Sequence, residues 1–462
     1  MSQAARLLAA SLLLSAATAT FAQSSEASSP APERNLWLPA LEIIGFDILV
    51  NRINYCCGAE SDKADYAVTM DSIRRNLHSS WTVDSDPFKT NQLGHPYQGS
   101  MYYGFARSAG FNFWESMGYA IGGSALWEIA GETTKPSRND MVSTGIGGTF
   151  LGESLYRMAS LVLEKGGGMN PFWRETTAAL VSPATAFNRH LQGRGPDTVF
   201  SSRGAEYYSR LQLGVMGNVH NTSGNSTASV RNEVQADFAL DYGMPGKDGY
   251  AYRRPFDYFA FQATATTANF FENVMTRGLL AGRDYKEGKD YRGIWGLYGS
   301  YDYISPQTFR ISSTALSLGT TGQWRHDPWV VQGTAMAGLG YAAVGTINSA
   351  DPAVDRDYHY GVAPQALVAA RAIFGDRSSL DLTLREYFVS DVGNRGGHDN
   401  IARADIAYTW RIEKQHAVTL KYLWNRRDAH YPDIGNRGQT RSTFGIFYTL
   451  LGQDRFGTVD WH

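Results

Sequence analysis

Seven polar residues between positions 95 and 153 are the strongest candidates for chemistry in this 462-residue chain. They are His95, Glu115, Glu128, Glu132, Asn139, Asp140 and Glu153, and they lie among Trp, Tyr and Phe residues. If they converge, one histidine and several carboxylates could hold a divalent metal or divide the roles of general acid and general base. A structural polar network is the favoured interpretation, because charge in an aromatic-rich setting must usually be paired.

Local roles explain several of these residues without chemistry. His95 lies at a predicted helix start, where it can bond free backbone N–H groups. Asp140 fits a capping box, and Asn139 could act as a local cap. Glu128 and Glu132 are four residues apart, but a glycine between them is predicted to end the helix. The sequence contains no zinc-ligand spacing, GxSxG motif, Walker loop or dinucleotide fingerprint, so neither a metal nor a cofactor is predicted.

The candidate cluster belongs to a region with a helical pattern. Residues 36–191 repeat apolar side chains with the 3.6-residue period of helices. The pattern and its caps predict about five helices, at 38–53, 96–110, 111–130, 137–164 and 170–180. Five glycines at three- and four-residue spacing predict close packing of helix backbones, and they are Gly118, Gly122, Gly145, Gly148 and Gly152.

Beyond the helical region the apolar period changes to two, the period of strands. About twelve alternating segments lie between Ala205 and Leu451, and several have ten or more residues. That length, the aromatic residues near segment ends such as Tyr301 and Trp410, and the alternation of short and long connections favour a membrane barrel over a soluble sandwich. The connection at 243–255 departs from this rhythm, because it is long where a short turn is expected.

Charged residues on the polar side of these strands are predicted to face the barrel lumen. They are Arg231, Asp237, Asp381, Arg385, Arg403, Asp405 and Arg411. Their mixed signs could make a selective pore or form bridges along the wall, and bridging is the favoured interpretation. The predicted fold class is therefore α+β, with an N-terminal α-helical module followed by an antiparallel transmembrane β-barrel of about twelve strands.

The N-terminus predicts the compartment. Arg6 precedes an apolar run from Leu7 to Ala17 and a small-residue site ending at Ala22, which is the order of a secretory signal peptide. The predicted organisation is a signal peptide at 1–22, a flexible leader at 23–35, a helical module at 36–191, an outer-membrane barrel at 204–452 and a C-terminal tail at 453–462. The helical module is expected on the periplasmic side of the outer membrane.

Composition limits the classes of partner. The chain carries 42 Lys and Arg against 44 Asp and Glu, a formal net charge of −2, so nucleic-acid binding is not predicted. Outer-membrane lipid is the expected partner of a membrane barrel. A small-molecule or lipid ligand is left open, and the sequence predicts no oligomeric state.

Several ordered motifs resemble one known family. They are the stretch from Asn91 to Gly99, the segment 112–116, Trp127-Glu128 with Gly131-Glu132, Pro136-Ser137 with Asn139-Asp140, Gly147-Gly148 with Gly152-Glu153, and the later segment 357–361. The N-terminal motifs, over about residues 36–164, are similar to the Gram-negative domain-of-unknown-function family 3943. The resemblance implies an outer-membrane or periplasm-facing protein with a helical module and a β-barrel-like C-terminal part, and it implies no activity.

Three hypotheses about function follow. The favoured one is a structural, transport-gating or envelope-assembly role, with the helical module under or partly within the barrel mouth as a plug or gate. The second is an envelope hydrolase that acts on lipid or cell-wall material through the His, Glu and Asp cluster. The third is a soluble two-domain periplasmic protein. An enzyme is the less favoured interpretation.

Overall fold

The computed structural model describes residues 34–461 except 59, 61–62, 85, 167, 192–199, 223–228, 307, 346–357, 392–395, 433–434 and 454. The predicted signal peptide, and the leader up to residue 33, lie outside the described residues.

Seven α-helices form the helical module within the described part of the chain. They are α1 (Trp37–Cys57), α2 (Met70–His78), α3 (His95–Ser108), α4 (Phe113–Ala130), α5 (Gly148–Lys165), α6 (Pro171–Val181) and α7 (Pro183–Leu191). A π-helical turn, Thr90–Gly94, leads into α3. A helical turn, Arg138–Asp140, and a π-helical turn, Met141–Gly147, lead into α5. None of the described helices is long and apolar enough to cross a membrane.

Two of these helices, α2 and α7, are absent from the five predicted. The sequence of α2, MDSIRRNLH, has no continuous apolar stripe, and it begins with a capping box between Thr69 and Ser72 rather than with a hydrophobic pattern. Helix α7 follows α6 after the single residue Ser182 and starts with Pro183, which suits the first turn of a helix. Capping and proline signals therefore define these two helices better than periodicity does.

Twelve antiparallel strands close into one barrel, which confirms the predicted fold class. The strands are β1 (Tyr207–Thr222), β2 (Ser229–Tyr242), β3 (Phe259–Thr266), β4 (Asn273–Glu287), β5 (Tyr291–Ile304), β6 (Ile311–His326), β7 (Trp329–Gly345), β8 (Tyr358–Phe374), β9 (Ser378–Asp391), β10 (His398–Glu413), β11 (His416–Tyr431) and β12 (Gly435–Leu451). Each strand pairs with its neighbours in sequence, and β12 pairs with β1 in a register that places Leu450 opposite Leu211.

The two ends of the barrel differ in their connections. Only two or three residues separate β4 from β5, β6 from β7, β8 from β9, and β10 from β11, and we call this end the short-turn end. The opposite end, called the long-loop end, carries longer connections, such as residues 267–272 between β3 and β4. The long connection between β2 and β3, residues 243–258, lies at the short-turn end and is the exception that the sequence also shows.

Contacts between distant strands define the inside of the barrel. The Tyr387 hydroxyl of β9 donates to Oδ2 of Asp302 of β5 at 2.8 Å, although three strands lie between them. Arg371 of β8 and Asp241 of β2 meet at 3.3 Å across the ring. Such pairs can only meet through the lumen. Because side chains alternate across a strand, Tyr301 of β5 must face outward.

The outer wall that is free of helices is apolar. Large hydrophobic side chains are exposed there at alternate positions, as at Leu213 and Val215 of β1, and at Phe444, Ile446 and Tyr448 of β12. Alternation between an apolar outer face and a polar inner face is typical of an outer-membrane barrel.

The described helices pack against another part of the outer wall and not within the lumen. One hydrophobic cluster joins Tyr103 and Phe150 of the helices to outward-facing Leu240, Phe259 and Tyr301. Tyr301 is therefore covered by protein rather than placed in an aromatic girdle at the lipid interface, as its position in the sequence suggests. The expectation that the module lies under or partly within the barrel mouth is wrong for the contacts that the structure describes, because the wall offers a larger apolar surface than the charged lumen.

Helix α5 and the turns before it cross the outer wall diagonally. Asn139 contacts Tyr360 at the long-loop end of β8, and Phe150 lies against Gly299 of β5. Further along, Ser154 bonds Thr276 of β4 at 2.6 Å, and Arg157 reaches Asp257 next to β3 at the short-turn end. The module thus extends along the height of the wall.

Candidate functional site between the helical module and the barrel wall

Five of the seven candidate residues converge beside the outer wall of the barrel. Nε2 of His95, the first residue of α3, lies 3.9 Å from Oδ2 of Asp140. Glu128 of α4 accepts a 2.7 Å hydrogen bond from the Ser137 backbone N–H, at the entry to α5. Glu132 follows α4, and its pKa responds to His95 and Asp140. All are at most 7% exposed. We call this group, with Asn139, the buried polar cluster.

The barrel contributes two tyrosines to the cluster. Asn139 Nδ2 donates to the Tyr360 hydroxyl at 2.8 Å and to Asp84 Oδ1 at 2.9 Å. Asn91 Nδ2 donates to the Tyr358 hydroxyl at 2.8 Å. The candidate set omitted Asp84, Asn91, Tyr358 and Tyr360, although Asn91 and the segment 357–361 are among the motifs that carry the family resemblance. Those motifs therefore meet where the module contacts strand β8.

Burial dominates the electrostatics of the cluster. The pKa of Glu128 is raised above its usual value by burial, and the nearby carboxylates of Glu132 and Asp140 raise it further. Burial likewise raises the pKa of Glu132, which His95 partly offsets. The pKa of Asp140 is raised by burial and by Asp84. Within the described residues, no group of three or more His, Cys, Asp or Glu side chains is arranged to hold a metal ion.

Replacement of Glu128 by Gln should weaken the pH dependence of stability. A carboxyl with a raised pKa binds more protons in the folded than in the unfolded chain. Its contribution to the free energy of unfolding therefore falls as the pH rises above about 4.5, the ordinary pKa of a glutamate. The wild-type urea midpoint is expected to decrease between pH 5 and 8, and Glu128→Gln should decrease less. The exposed Glu115 supplies the control, Glu115→Gln. Equal slopes for Glu128→Gln and the wild type would contradict the assignment.

Glu115 and Glu153 do not belong to the cluster. Glu115 is exposed and completes a capping box at the start of α4, where its Oε2 accepts a 2.7 Å hydrogen bond from the Asn112 N–H. Glu153 is fully buried within α5 and contacts Arg107 and Arg157 at 2.9 and 2.6 Å. Burial alone would raise the pKa of Glu153, but the two guanidinium groups hold it below its usual value.

Glu153 is part of a buried ionic network that fixes the module to the barrel, which we call the anchor network. Arg157 pairs with Asp257 at 3.2 Å and donates to the Pro255 carbonyl at 2.7 Å. Asp257 also contacts Arg203 and Arg254. The side chains of Arg157, Glu153 and Asp257 are at most 1% exposed. This network joins α5 directly to the connection between β2 and β3.

Most of the lumen candidates form pairs inside the barrel. Asp381 accepts from Arg371 at 2.7 Å and lies 3.2 Å from Arg210. Arg385 lies 3.5 Å from Asp302 of β5. Of the other candidates, Asp405 lies 3.1 Å from Nζ of Lys421, and Arg403 donates a hydrogen bond to Asn273 at 3.4 Å. Asp237 accepts hydrogen bonds from Gln262 and Thr264 at 2.8 and 2.7 Å. Arg231 is exposed and lies on the same side of strand β2 as Asp237. These bridges cross or line the lumen at several levels.

A cavity remains inside the barrel near the short-turn end. Its volume is about 120 Å³, and it is partly open. Its charged lining comprises Arg210, Arg277, Arg371, Arg385, Asp241 and Asp381. Four arginines and two aspartates make this wall net positive, which favours small anionic or polar solutes.

The C-terminal tail, defined here as residues 455–461, enters the short-turn mouth of the lumen. The Val459 carbonyl accepts from Nε2 of Gln323 at 2.6 Å, and the Val459 N–H donates to Oε1 of the same side chain at 3.1 Å. Nε2 of Gln332 donates to the Gly457 carbonyl at 2.7 Å. Both glutamines also line the lumen cavity, so the tail lies beneath that cavity.

Apolar packing holds the tail in place. Phe456 and Val459 are 0% and 2% exposed. They pack in one cluster with inward-facing residues near the short-turn end, namely Tyr208, Val330, Ile373, Ala417 and Leu451. The Arg411 guanidinium lies 4.7 Å from the Phe456 ring centre, so this lumen candidate contacts the tail. Sequence periodicity carries no signal for a tail this short.

Comparison with known families gives a match within the helical module. Residues 80–184 match the family described as domain of unknown function DUF3943. No curated protein matches the chain. The translocator domain of autotransporter NalP from Neisseria meningitidis is 12% identical, with 58% of this chain and 97% of that chain covered and a TM-score of 0.23. An anion-selective porin from Comamonas acidovorans is 8% identical, with 53% and 100% covered and a TM-score of 0.22.

An outer membrane channel from Pseudomonas putida F1 is 9% identical, with 54% of this chain and 95% of that chain covered and a TM-score of 0.27. The resemblance noted in the sequence is confirmed over residues 80–184, the segment that contains the buried polar cluster and Glu153. Residues 80–184 of the helical module therefore match the family described as domain of unknown function DUF3943, and a closed twelve-stranded antiparallel barrel follows them.

Proposed function

We propose that this chain is a gated outer-membrane barrel for small polar solutes, in which the C-terminal tail closes the short-turn mouth. The observation that carries the proposal is the set of hydrogen bonds from inward-facing Gln323 and Gln332 to the tail backbone. Short turns of bacterial outer-membrane barrels face the periplasm. The tail would then close the periplasmic mouth, and a periplasmic event would release it. In this proposal the tail is the plug, and the helical module braces the wall.

The net positive cavity above the tail supports a transport role. Three of its four arginines, Arg210, Arg371 and Arg385, are paired with aspartates from other strands. The charged lining contains more arginines than aspartates, so it attracts a small anion without the loss of an existing ion pair. The cavity therefore suits a small anionic solute.

An envelope hydrolase receives less support. The residues of the buried polar cluster are at most 7% exposed and lie between the helices and strand β8. A substrate of lipid or cell-wall material would have to displace the module to reach them. The same residues form hydrogen bonds that join the module to the barrel, which a structural role explains directly.

Liposome swelling in small charged and uncharged solutes tests the gate. The Gln323→Ala, Gln332→Ala double variant removes three tail hydrogen bonds, each worth about 1 kcal/mol. The open population should rise by about 10-fold or more, since about 1.4 kcal/mol is tenfold. Gln365→Ala, a lumen residue bonded to Ser313 and not to the tail, is the control. Equal swelling rates for the double variant and the wild type would contradict the proposal.

A further inference from the structure

The exposed residues of α1 are uncharged as far as Leu49, whereas two of its four buried residues, Asp47 and Asn51, are polar. Among the exposed residues, Leu41, Ile44 and Ile48 are 63%, 42% and 59% exposed. The inner face buries Asp47, which accepts a hydrogen bond from the Tyr102 hydroxyl, and Asn51, which donates to the Gly131 carbonyl at 2.8 Å. This polarity is the reverse of a helix that faces water.

Helix α4 repeats the same reversed pattern. Its exposed side carries Trp114, Gly118, Gly122 and Leu126 at four-residue spacing. Its buried positions include Ser116, Ser124 and Glu128. A Cβ atom at Gly118 or Gly122 would meet no atom within 4 Å, so these glycines do not pack against another helix as their spacing suggests. By contrast, Gly148 approaches the Gly99 backbone closely enough to exclude a larger side chain.

The position of the module places these faces at the level of the bilayer. Helix α5 crosses the outer wall from Tyr360 at the long-loop end to Asp257 at the short-turn end. The strands on that wall span the membrane. A module packed along a membrane-spanning wall lies beside the strands that cross the bilayer, and the helix-free part of the same barrel exposes apolar residues such as Leu213 and Ile446.

We propose that the outer faces of α1 and α4 contact the acyl chains of outer-membrane lipid. The helical module then lies beside the barrel at the membrane rather than in the periplasm, and it continues the apolar surface of the barrel wall. Lipid is the occupant because the module packs along a barrel wall whose helix-free part exposes apolar side chains. In addition, the exposed residues of α1 up to Leu49, and four of the five exposed residues of α4, are uncharged, as expected where no water solvates the outer face.

Nitroxide labels at single cysteines test this placement in the full chain, in vesicles of phosphatidylethanolamine and phosphatidylglycerol. The exposed Cys56 and Cys57 are first replaced by serine. Labels at Ile48→Cys and Leu126→Cys report on the two helices. Leu213→Cys on the barrel wall is the lipid reference, and Arg74→Cys on α2, with a side chain 73% exposed, is the aqueous reference. Collision rates are measured with oxygen and with a water-soluble nickel chelate.

The two module labels are expected to behave as the Leu213 label does, with an oxygen-to-nickel collision ratio several-fold above that at Arg74. A ratio equal to that at Arg74 would overturn the proposal and place the helices in water. Low collision with both reagents, together with spin–spin broadening between labels, would also overturn it and would assign the face to a second copy of the chain. Neither outcome bears on whether the tail gates the lumen.

Discussion

Cells that produce a variant truncated after Gly452 are expected to take up small hydrophilic anionic dyes several-fold faster than cells that produce the full chain. The truncation removes Phe456 and Val459 from the lumen mouth and frees Gln323 and Gln332 from the tail backbone. The cavity behind the tail then opens to the short-turn side. Because its lining is net positive, uptake of anionic dyes should increase more than uptake of cationic dyes of similar size.

Two controls separate gating from misfolding. Burial of Phe456 and Val459 contributes about 2 kcal/mol each, so the truncated barrel must be shown to fold, by heat-modifiable migration on gels. Arg455→Ala removes an exposed tail residue, 61% accessible at its side chain, and should leave the tail seated and dye uptake low. A truncated barrel that folds yet admits dye no faster than the full chain would contradict the closed-mouth interpretation.

Arg157→Ala is expected to release the helical module from the barrel wall. The substitution leaves the Glu153 and Asp257 carboxylates without one of their partners in a buried setting. Loss of one partner from a buried ion pair costs about 3–5 kcal/mol. The Arg157→Ala module should be cleaved by trypsin, in detergent micelles, at urea concentrations where the wild-type module resists, while the barrel stays intact.

An exposed arginine on the same module supplies the matched comparison. Arg74 lies 3.8 Å from Asp71 on the surface of α2, and such exposed pairs contribute little to stability. Arg74→Ala should therefore resist trypsin as the wild type does. If Arg157→Ala and Arg74→Ala were equally resistant, the anchor network would not be what holds the module.

Alternation along the strands was enough to predict the barrel and its strand number. The side of a strand on which Asp237 lies follows from sequence parity, because the side-chain period of a strand is two. This alternation does not show whether lipid or the helical module covers the outer face of a strand. Tyr301 fits an aromatic girdle and a helix contact equally well by its residue type, and only long-range packing distinguishes the two.

The candidate site was predicted in the same partial way. His95, Glu128 and Asp140 meet because α3, α4 and the entry to α5 pack together, which local signals alone do not specify. Glu115 could have been separated from the set, since Asn112 three residues earlier makes a capping box readable in sequence. Glu153 could not, because its partner Arg107 and the second carboxylate that Arg157 contacts, Asp257, are distant along the chain.

Planar-bilayer conductance of the full chain, recorded beside the variant truncated after Gly452, tests whether the C-terminal tail closes the lumen. The full chain is expected to stay closed across the range of applied voltages, and the truncated chain is expected to show stable, anion-preferring conductance steps. A full chain that conducts as well as the truncated one, or a folded truncated barrel that stays closed, would contradict the assignment of the tail as the gate.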